Sequence, residues 1–258
     1  MKVVLLSSGS KGNSCLVMTK DAKILIDLGT TSQYVCNELD KLGISPKEID
    51  AILVSHTHSD HIGGLKVFLK KYHTKVFVTE TLKELLEKEI GTFDYELYQD
   101  KVGIIKDITV NIIKTSHDAK GSIGFIIKNK NKSMVYITDT GYINKKYFDD
   151  LKNRNLYILE SNHDVYMLKN GPYPYYLQQR VISDKGHLSN EQASNYLCEL
   201  IGEDTKKVVF AHLSEKNNTP EKVIETFNEK LVENNMSFTK YILGKQNEPT
   251  EVIEIWLK

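Results

Sequence analysis

The six positions His56-Thr-His58-Ser-Asp60-His61 hold three histidines and an aspartate, directly behind the apolar run AILVS and directly ahead of IGGLKVFLKKY. A short apolar run of that kind reads as a buried strand, and the longer stretch with lysines spaced among apolar residues reads as a helix. The motif then lies on a loop between a strand end and a helix start, where several side chains can turn toward one point. Imidazole and carboxylate are ligands that zinc, manganese and iron all accept. Two imidazoles one residue apart suit a first metal, and the carboxylate and imidazole that follow suit a second. A fold that satisfies this loop must deliver further ligands to it from elsewhere in the chain.

Candidate carriers of those ligands recur along the sequence as short β-rich runs. VVLLS (3–7), SCLVMT (14–19) and KILIDLG (23–29) are separated by Ser, Gly, Lys and Asn, which reads as an antiparallel meander. KVFVT (75–79), DITVNIIKT (107–115), SIGFIIK (122–128), SMVYITD (133–139), LYILE (156–160), KKVVFAHL (206–213) and EVIEIWLK (251–258) follow. Several are continuously apolar, as strands covered on both faces should be. Helices announce themselves by their ends. Thr31 to Leu42 closes on Gly43, and Thr81-Leu-Lys-Glu84 reads as a capping box closing near Gly91. Ser189-Asn-Glu-Gln192 is a second capping box, opening a helix that ends at Gly202, and Thr219-Pro220 opens another. Strands and helices mixed through the chain imply stacked layers of both. With no linker, low-complexity tract or short repeat, one domain over 1–258 is expected.

Composition narrows the partners. The 34 basic and 34 acidic side chains cancel to a formal net charge of zero, which excludes a coat that grips DNA by bulk charge alone. A nucleic-acid substrate held locally by metals and a few cations stays open. Only Arg154 and Arg180 are arginines, the better bidentate phosphate clamps. Cys15, Cys36 and Cys198 form neither a paired framework nor a metal motif, so a reducing compartment is expected. The opening MKVVLL is too short for a signal-peptide core, and no apolar run approaches a membrane span. A cytoplasmic protein with no membrane contact is the expectation.

HTHSDHIGGL resembles the HxHxDH signature of the metallo-β-lactamase superfamily, and further motifs follow in that superfamily's order over nearly the whole chain. The resemblance implies an α/β, four-layer αββα sandwich holding two divalent metal ions: zinc or manganese, with iron also admissible. It implies that His56, His58 and His117 (in TSHDA) hold the first metal, and that Asp60, His61 and His212 (in VVFAHLS) hold the second. Asp139 (in YITDTG) would bridge them, and Asp27 (in ILIDLG) would orient ligands from behind. Such a set leaves room for a bridging water, the open position that a catalytic site needs.

Within that superfamily, SSGSKGNS (7–14), LESNHD (159–164), GPYPYYLQQR (171–180), GHLSNEQA (186–193) and AHLSEKNN (211–218) resemble the YycJ/WalJ (VicX) family. That family's members are implied to be exonucleases acting 5′ to 3′ on double-stranded DNA. GHLSNEQA is also similar to the histidine loop of RNase Z-type phosphodiesterases, in which a strand glutamate pairs with the loop histidine. Glu160 and His187 occupy the matching positions. A departing sugar oxygen needs a proton, and a histidine held in one tautomer by a carboxylate can give it. His187 also precedes the Ser189 cap by two residues, where helix amides favour a phosphate oxygen. A purely structural hydrogen bond between the two is the alternative.

The expected reaction is hydrolysis of a phosphodiester by a metal-bridged hydroxide, with Asp60 or Asp139 orienting it and DNA ahead of RNA as substrate. The β-CASP insertion and the tRNA-gripping arm of the RNA-cleaving relatives have no counterpart between Asp139 and His187. Arg180, His163, Ser8, Ser10 and Asn13 are candidate substrate contacts. Tyr173, Tyr175 and Tyr176 read equally as base-stacking aromatics or as packing within a loop. Two other readings stand beside the nuclease. Hydrolysis of a small ester, thioester or lactone leaves Glu160, His187 and Arg180 unused. A non-catalytic regulatory protein on the same fold should show a broken ligand set, and every ligand position here is filled.

Overall fold

The computed structural model describes residues 1–255. Strands β1 (Lys2–Ser7), β2 (Ser14–Met18), β3 (Lys23–Ile26), β4 (Ala51–Leu53), β5 (Val76–Val78) and β6 (Tyr95–Leu97) lie side by side in chain order. Strands β7 (Val102–Ile105), β8 (Ile108–Lys114), β9 (Ile123–Asn129), β10 (Lys132–Ile137), β11 (Leu156–Glu160), β12 (Lys207–Ala211) and β13 (Tyr241–Leu243) form a second sheet, also in order. The final strand, β14 (Ile253–Glu254), returns to the free edge of β1. The expected strand 251–258 is thus two residues long where described, and 256–258 lie outside the described residues.

Both sheets are built to one plan. β1, β2 and β3 pair antiparallel as the turn residues between them require, and β3 to β6 then pair parallel. In the second sheet β7 to β10 are antiparallel and β10 to β13 parallel. Parallel neighbours need long crossovers, usually helical. The helices are α1 (Ser32–Lys41), α2 (Ser59–Ile62), α3 (Leu65–Tyr72), α4 (Glu80–Ile90), α5 (Phe148–Leu151), α6 (Val165–Asn170), α7 (Tyr175–Ile182), α8 (Asn190–Leu200) and α9 (Pro220–Glu233).

Alternation along the second sheet divides the core. Met134, Tyr136, Leu156, Ile158, Val209 and Ala211 face the first sheet, where they join Leu5, Cys15, Ile26 and Leu53, which share one face by register. Their neighbours Val135, Tyr157, Leu159, Val208 and Phe210 point the other way, onto Ala193 and Leu197 of α8 and Val223 and Phe227 of α9. The Phe210 and Phe227 rings meet edge-on at 5.1 Å, a pair worth about 0.5–1.5 kcal/mol beyond its burial. Helices α1, α3 and α4 cover the first sheet through Val35, Leu39, Leu65, Phe68, Leu82 and Leu86. The result is the αββα sandwich.

Two helix boundaries differ from the sequence reading. The cap of α4 is Thr79, whose hydroxyl accepts from Leu82 N, and Thr81 lies inside the helix. Thr79 ends a strand in extended geometry, which a cap requires and an interior residue lacks. The segment 171–180 is no simple loop, because Tyr175–Ile182 is helical behind Pro174, whose ring cannot extend the turn backwards. The Ser189 capping box is present as read, with α8 ending at Leu200.

Candidate metal centre

The site gathers where the strands end. His56 follows β4, Asp139 follows β10, Glu160 closes β11 and His212 follows β12, all on parallel strands. Ligands collect at such carboxyl ends in open α/β sheets. Three of the strand-end residues take an unusual backbone: Asp27, Asp139 and His212 have φ of 57°, 56° and 55°. Left-handed geometry costs a non-glycine residue of order 1 kcal/mol or more, and it persists where the surrounding fold over-determines it. Here it turns each side chain off its strand toward a common centre.

The HTHSDH segment, expected as a loop but with its last three residues already in α2, is seated by backbone contact. Leu28 N donates to His61 O at 2.9 Å, and Asn13 N donates to Asp60 O at 2.8 Å. Gly29 lies so close that a Cβ there would stand 1.6 Å from Asp60 O. Only glycine admits that approach.

Side-chain donors then fall into two groups. His56, His58 and His117 place ligand atoms within 4.8 Å of one another, and so do Asp60, His61, Asp139 and His212. The buried atoms His56 Nε2, His212 Nε2 and Asp139 Oδ2 lack a hydrogen-bond partner. His61 Nδ1 donates to Asp27 Oδ2 at 2.8 Å, which leaves Nε2 with its lone pair 3.1 Å from Asp139 Oδ2 and 3.6 Å from Asp60 Oδ2. Likewise His212 Nδ1 faces Glu160 Oε1 at 3.0 Å, and its Nε2 faces Asp60 and Asp139 at 3.5 and 3.6 Å. Acceptors converging on acceptors in a buried space call for cations between them, so the donor set fits divalent metals.

Electrostatics agree. Burial lowers the His61 pKa, yet the Asp139 and Asp27 carboxylates override it and hold the ring up to about 10. His212 is likewise pulled well above the ordinary imidazole value, against burial, by Asp139, Asp60 and Glu160. His56 goes the other way: burial and the neighbouring His61 hold it well below that value. Metal competes with protons for such rings.

Glu160 and His187 form a third group with Asp139 and His212. Glu160 Oε1 accepts from His187 Nδ1 at 2.6 Å, and its Oε2 accepts from Thr140 N and Leu188 N. Burial raises the Glu160 pKa, but His187 and His212 outweigh it and hold the carboxyl down to about 2. His187 Nδ1 stands 3.7 Å from Asp139 Oδ1.

Above these groups lies a cleft of about 230 Å3, lined by His58, Asp60, His117, Asp139, His187 and His212 on one side and by Tyr173, Leu177, Arg180 and Val181 on the other. A larger cavity of about 460 Å3 opens at the ends of α3 and α4 around Lys66 and Lys70, away from the metal ligands. Among the expected substrate contacts, Ser10 and Arg180 line the cleft. Ser8, Asn13 and His163, expected as substrate contacts, are instead buried away from it. Ser8 is 3% exposed and its hydroxyl accepts from His212 N at 2.7 Å. Asn13 is 1% exposed and spends its amide on Gly9 O and on Asp60 and His61. Both brace ligand loops from below. His163 is 2% exposed behind Glu160, and burial lowers its pKa to about 4.

Three residues at the site went unread in the sequence. Ser55 Oγ donates to Asp27 Oδ2 at 2.7 Å and faces His56 Nδ1 at 3.0 Å. Asn162 lines the cleft and donates to His212 O at 3.0 Å. Asp118 Oδ1 stands 3.4 Å from both His58 Nε2 and His117 Nε2, while its Oδ2 takes Arg180 Nε at 2.7 Å. Partial burial raises the Asp118 pKa, but the Arg180 hydrogen bond and charge outweigh it and lower it overall. Asp118 had a legible signal, a carboxylate directly after a strand-end histidine.

The sequence profile of the Metallo-beta-lactamase superfamily matches residues 8–212. Exodeoxyribonuclease WalJ of Streptococcus pneumoniae serotype 2 (strain D39 / NCTC 7466) is 35% identical over 226 residues, 85% of this chain and 84% of that protein. Exodeoxyribonuclease YycJ of Bacillus anthracis is 36% identical over 221 residues, 84% of each. Among solved structures, the metallo-β-lactamase fold protein YhfI from Bacillus subtilis superposes with a TM-score of 0.73 at 16% identity, covering 97% of this chain and 99% of its own. Human tRNase Z, short form, gives 0.67 at 15% identity and covers all of both chains. At those identities the two structures speak for the fold.

Proposed function

The chain belongs to the metallo-β-lactamase superfamily, and from that premise we propose that it is a two-metal phosphodiesterase that removes nucleotides from the ends of DNA. It is a metal-dependent hydrolase, and its relatives over most of the chain are named exodeoxyribonucleases. The observation that carries the phosphodiester reading is the Glu160–His187 pair at 2.6 Å, on the cleft beside Asp139. With Nδ1 committed to Glu160, His187 keeps Nε2 for the departing sugar oxygen. The Glu160 carboxylate fixes the tautomer and balances the imidazolium before the proton leaves.

His56, His58 and His117 would hold one metal, Asp60, His61 and His212 the other, with Asp139 between them. Divalent metals bound there supply a nucleophile at neutral pH and balance the charge that develops on the phosphate. Imidazole and carboxylate donors suit zinc and manganese, and iron also fits. Asp60, 20% exposed at its side chain, is the ligand carboxylate on the cleft floor that can accept a hydrogen bond from the attacking water and aim it. The three cysteines are free, which suits the reducing cytoplasm where such an enzyme would meet DNA.

The test is digestion of single- and double-stranded DNA labelled at either end, with zinc or manganese added and Asp139→Ala as control. Release of labelled nucleotide from the 5′ ends of duplex, absent in the control, is expected. Full metal content without release of any nucleotide, alongside turnover of a thioester, would move the protein to the small-ester hydrolases.

A further inference from the structure

Helix α7 is one wall of the cleft, and its chemistry differs from the floor. The floor is imidazole and carboxylate, whereas the wall presents Tyr173, Leu177 and Val181 with Arg180 among them. A phosphate, charged and hydrated, gains nothing from an aromatic or aliphatic wall. A nucleobase does, because every base has a π-face that stacks on an aromatic ring.

Helical geometry sorts the tyrosines. At about 100° per residue, Leu177, Arg180 and Val181 span a stripe roughly 100° wide, and Tyr176 stands about 40° beyond its Arg180 edge. Tyr175 falls on the opposite side. Tyr175 and Tyr176 are each 74% exposed, so neither serves to pack a loop. Tyr173 is half-buried, and its carbonyl accepts from Gln178 Nε2 at 2.9 Å, which ties it to the helix. The wall thus carries one aromatic inside the cleft, one on its rim, and a guanidinium on the same stripe. A third tyrosine faces away.

We propose that Tyr173 and Tyr176 are stacking platforms for the bases next to the reacting phosphate, so that α7 recognises a nucleotide rather than a bare phosphodiester. The occupant is the end of a nucleic-acid strand, continuous with the cleft that takes its phosphate, and the proposal rests on the DNA reading above. Arg180, held ready by Asp118 at 2.6 Å, is placed to meet a phosphate on the same strand.

The experiment pairs two duplexes that differ only at the labelled end, one with an ordinary terminal nucleotide and one with an abasic tetrahydrofuran residue there. With manganese-loaded enzyme, the ordinary end is expected to be released with a kcat/KM on the order of tenfold higher, the scale of one base–aromatic stack. Alanine at the tyrosine that stacks the terminal base, Tyr176 or Tyr173, should erase the preference, and phenylalanine at the same position should restore it. Tyr175→Ala, equally exposed on the far face, should keep it in full. Equal release of the two ends by the unmodified enzyme overturns the proposal, as does a preference that survives both alanine variants. A surviving preference with altered sedimentation in Tyr176→Ala would assign the rim to a second copy of the chain. If neither duplex is digested by metal-loaded enzyme, the DNA reading itself has failed and this proposal falls with it.

Discussion

In the group formed by Asp60, His61, Asp139 and His212, both imidazoles have a buried carboxylate behind them, Asp27 at 2.8 Å from His61 and Glu160 at 3.0 Å from His212. In the group formed by His56, His58 and His117 the support is weaker. His56 leans on the Ser55 hydroxyl and His117 on the Gly186 carbonyl at 3.2 Å. His58, its side chain 36% exposed, has Asp118 as its nearest carboxylate at 3.4 Å, and that carboxylate is already committed to Arg180. A carboxylate behind an imidazole raises its basicity and fixes its orientation, and burial strengthens both effects. The asymmetry predicts that a metal held by Asp60, His61 and His212 would be kept, while one held by His56, His58 and His117 would exchange more readily.

The comparison can be broken in several ways. The largest effect is expected from Asp139→Ala, the one ligand between the halves: both metals should be lost together and turnover should fall to background, as metal analysis alongside a phosphodiesterase assay would show. Retention of one full equivalent would mean that the halves do not share Asp139. Next comes His187→Ala, which removes no residue of either half's ligand set. It should keep both metals and lose on the order of 10² to 10⁴ in rate, and undiminished turnover would leave Glu160–His187 as scaffolding.

The two supporting carboxylates sharpen the contrast directly. Asp27→Asn should weaken the buried metal about 10- to 100-fold, the usual range for a partner behind a ligand. Asp118→Asn should weaken only the exposed metal, and by less than about tenfold, because 3.4 Å is too long for a strong hydrogen bond. Calorimetric titration of metal into the stripped variants measures both, and equal losses would erase the distinction. The smallest effect is kinetic: on addition of a chelator one metal should leave before the other, with the slow phase accelerated by Asp27→Asn and not by Asp118→Asn.

Much of this centre could be read without coordinates, for a chemical reason. Donor chemistry is a property of residue type, so the candidate ligands His56, His58, Asp60 and His61 declare themselves, and Asp139 and His212 do so by ending apolar runs. The Glu160–His187 pairing was legible through its resemblance to a known loop. Burial was not legible. Ser8, Asn13 and His163 look in the sequence like polar residues beside a site, and only their packing shows that they face inward. The capping box read at Thr81 gives way to a cap at Thr79, which the end of β5 places in extended geometry.

What the amino-acid order alone determined was the donor set and the alternating apolar runs that carry it, because both depend on side-chain chemistry and local periodicity. What only the tertiary structure decided was direction. The left-handed turns at Asp27, Asp139 and His212, the closure of Gly29 onto Asp60, and the placement of Asp118 between His58 and Arg180 arise from contacts between segments far apart in the chain. No local pattern encodes such contacts, since each exists only once strand ends distant in the sequence have met.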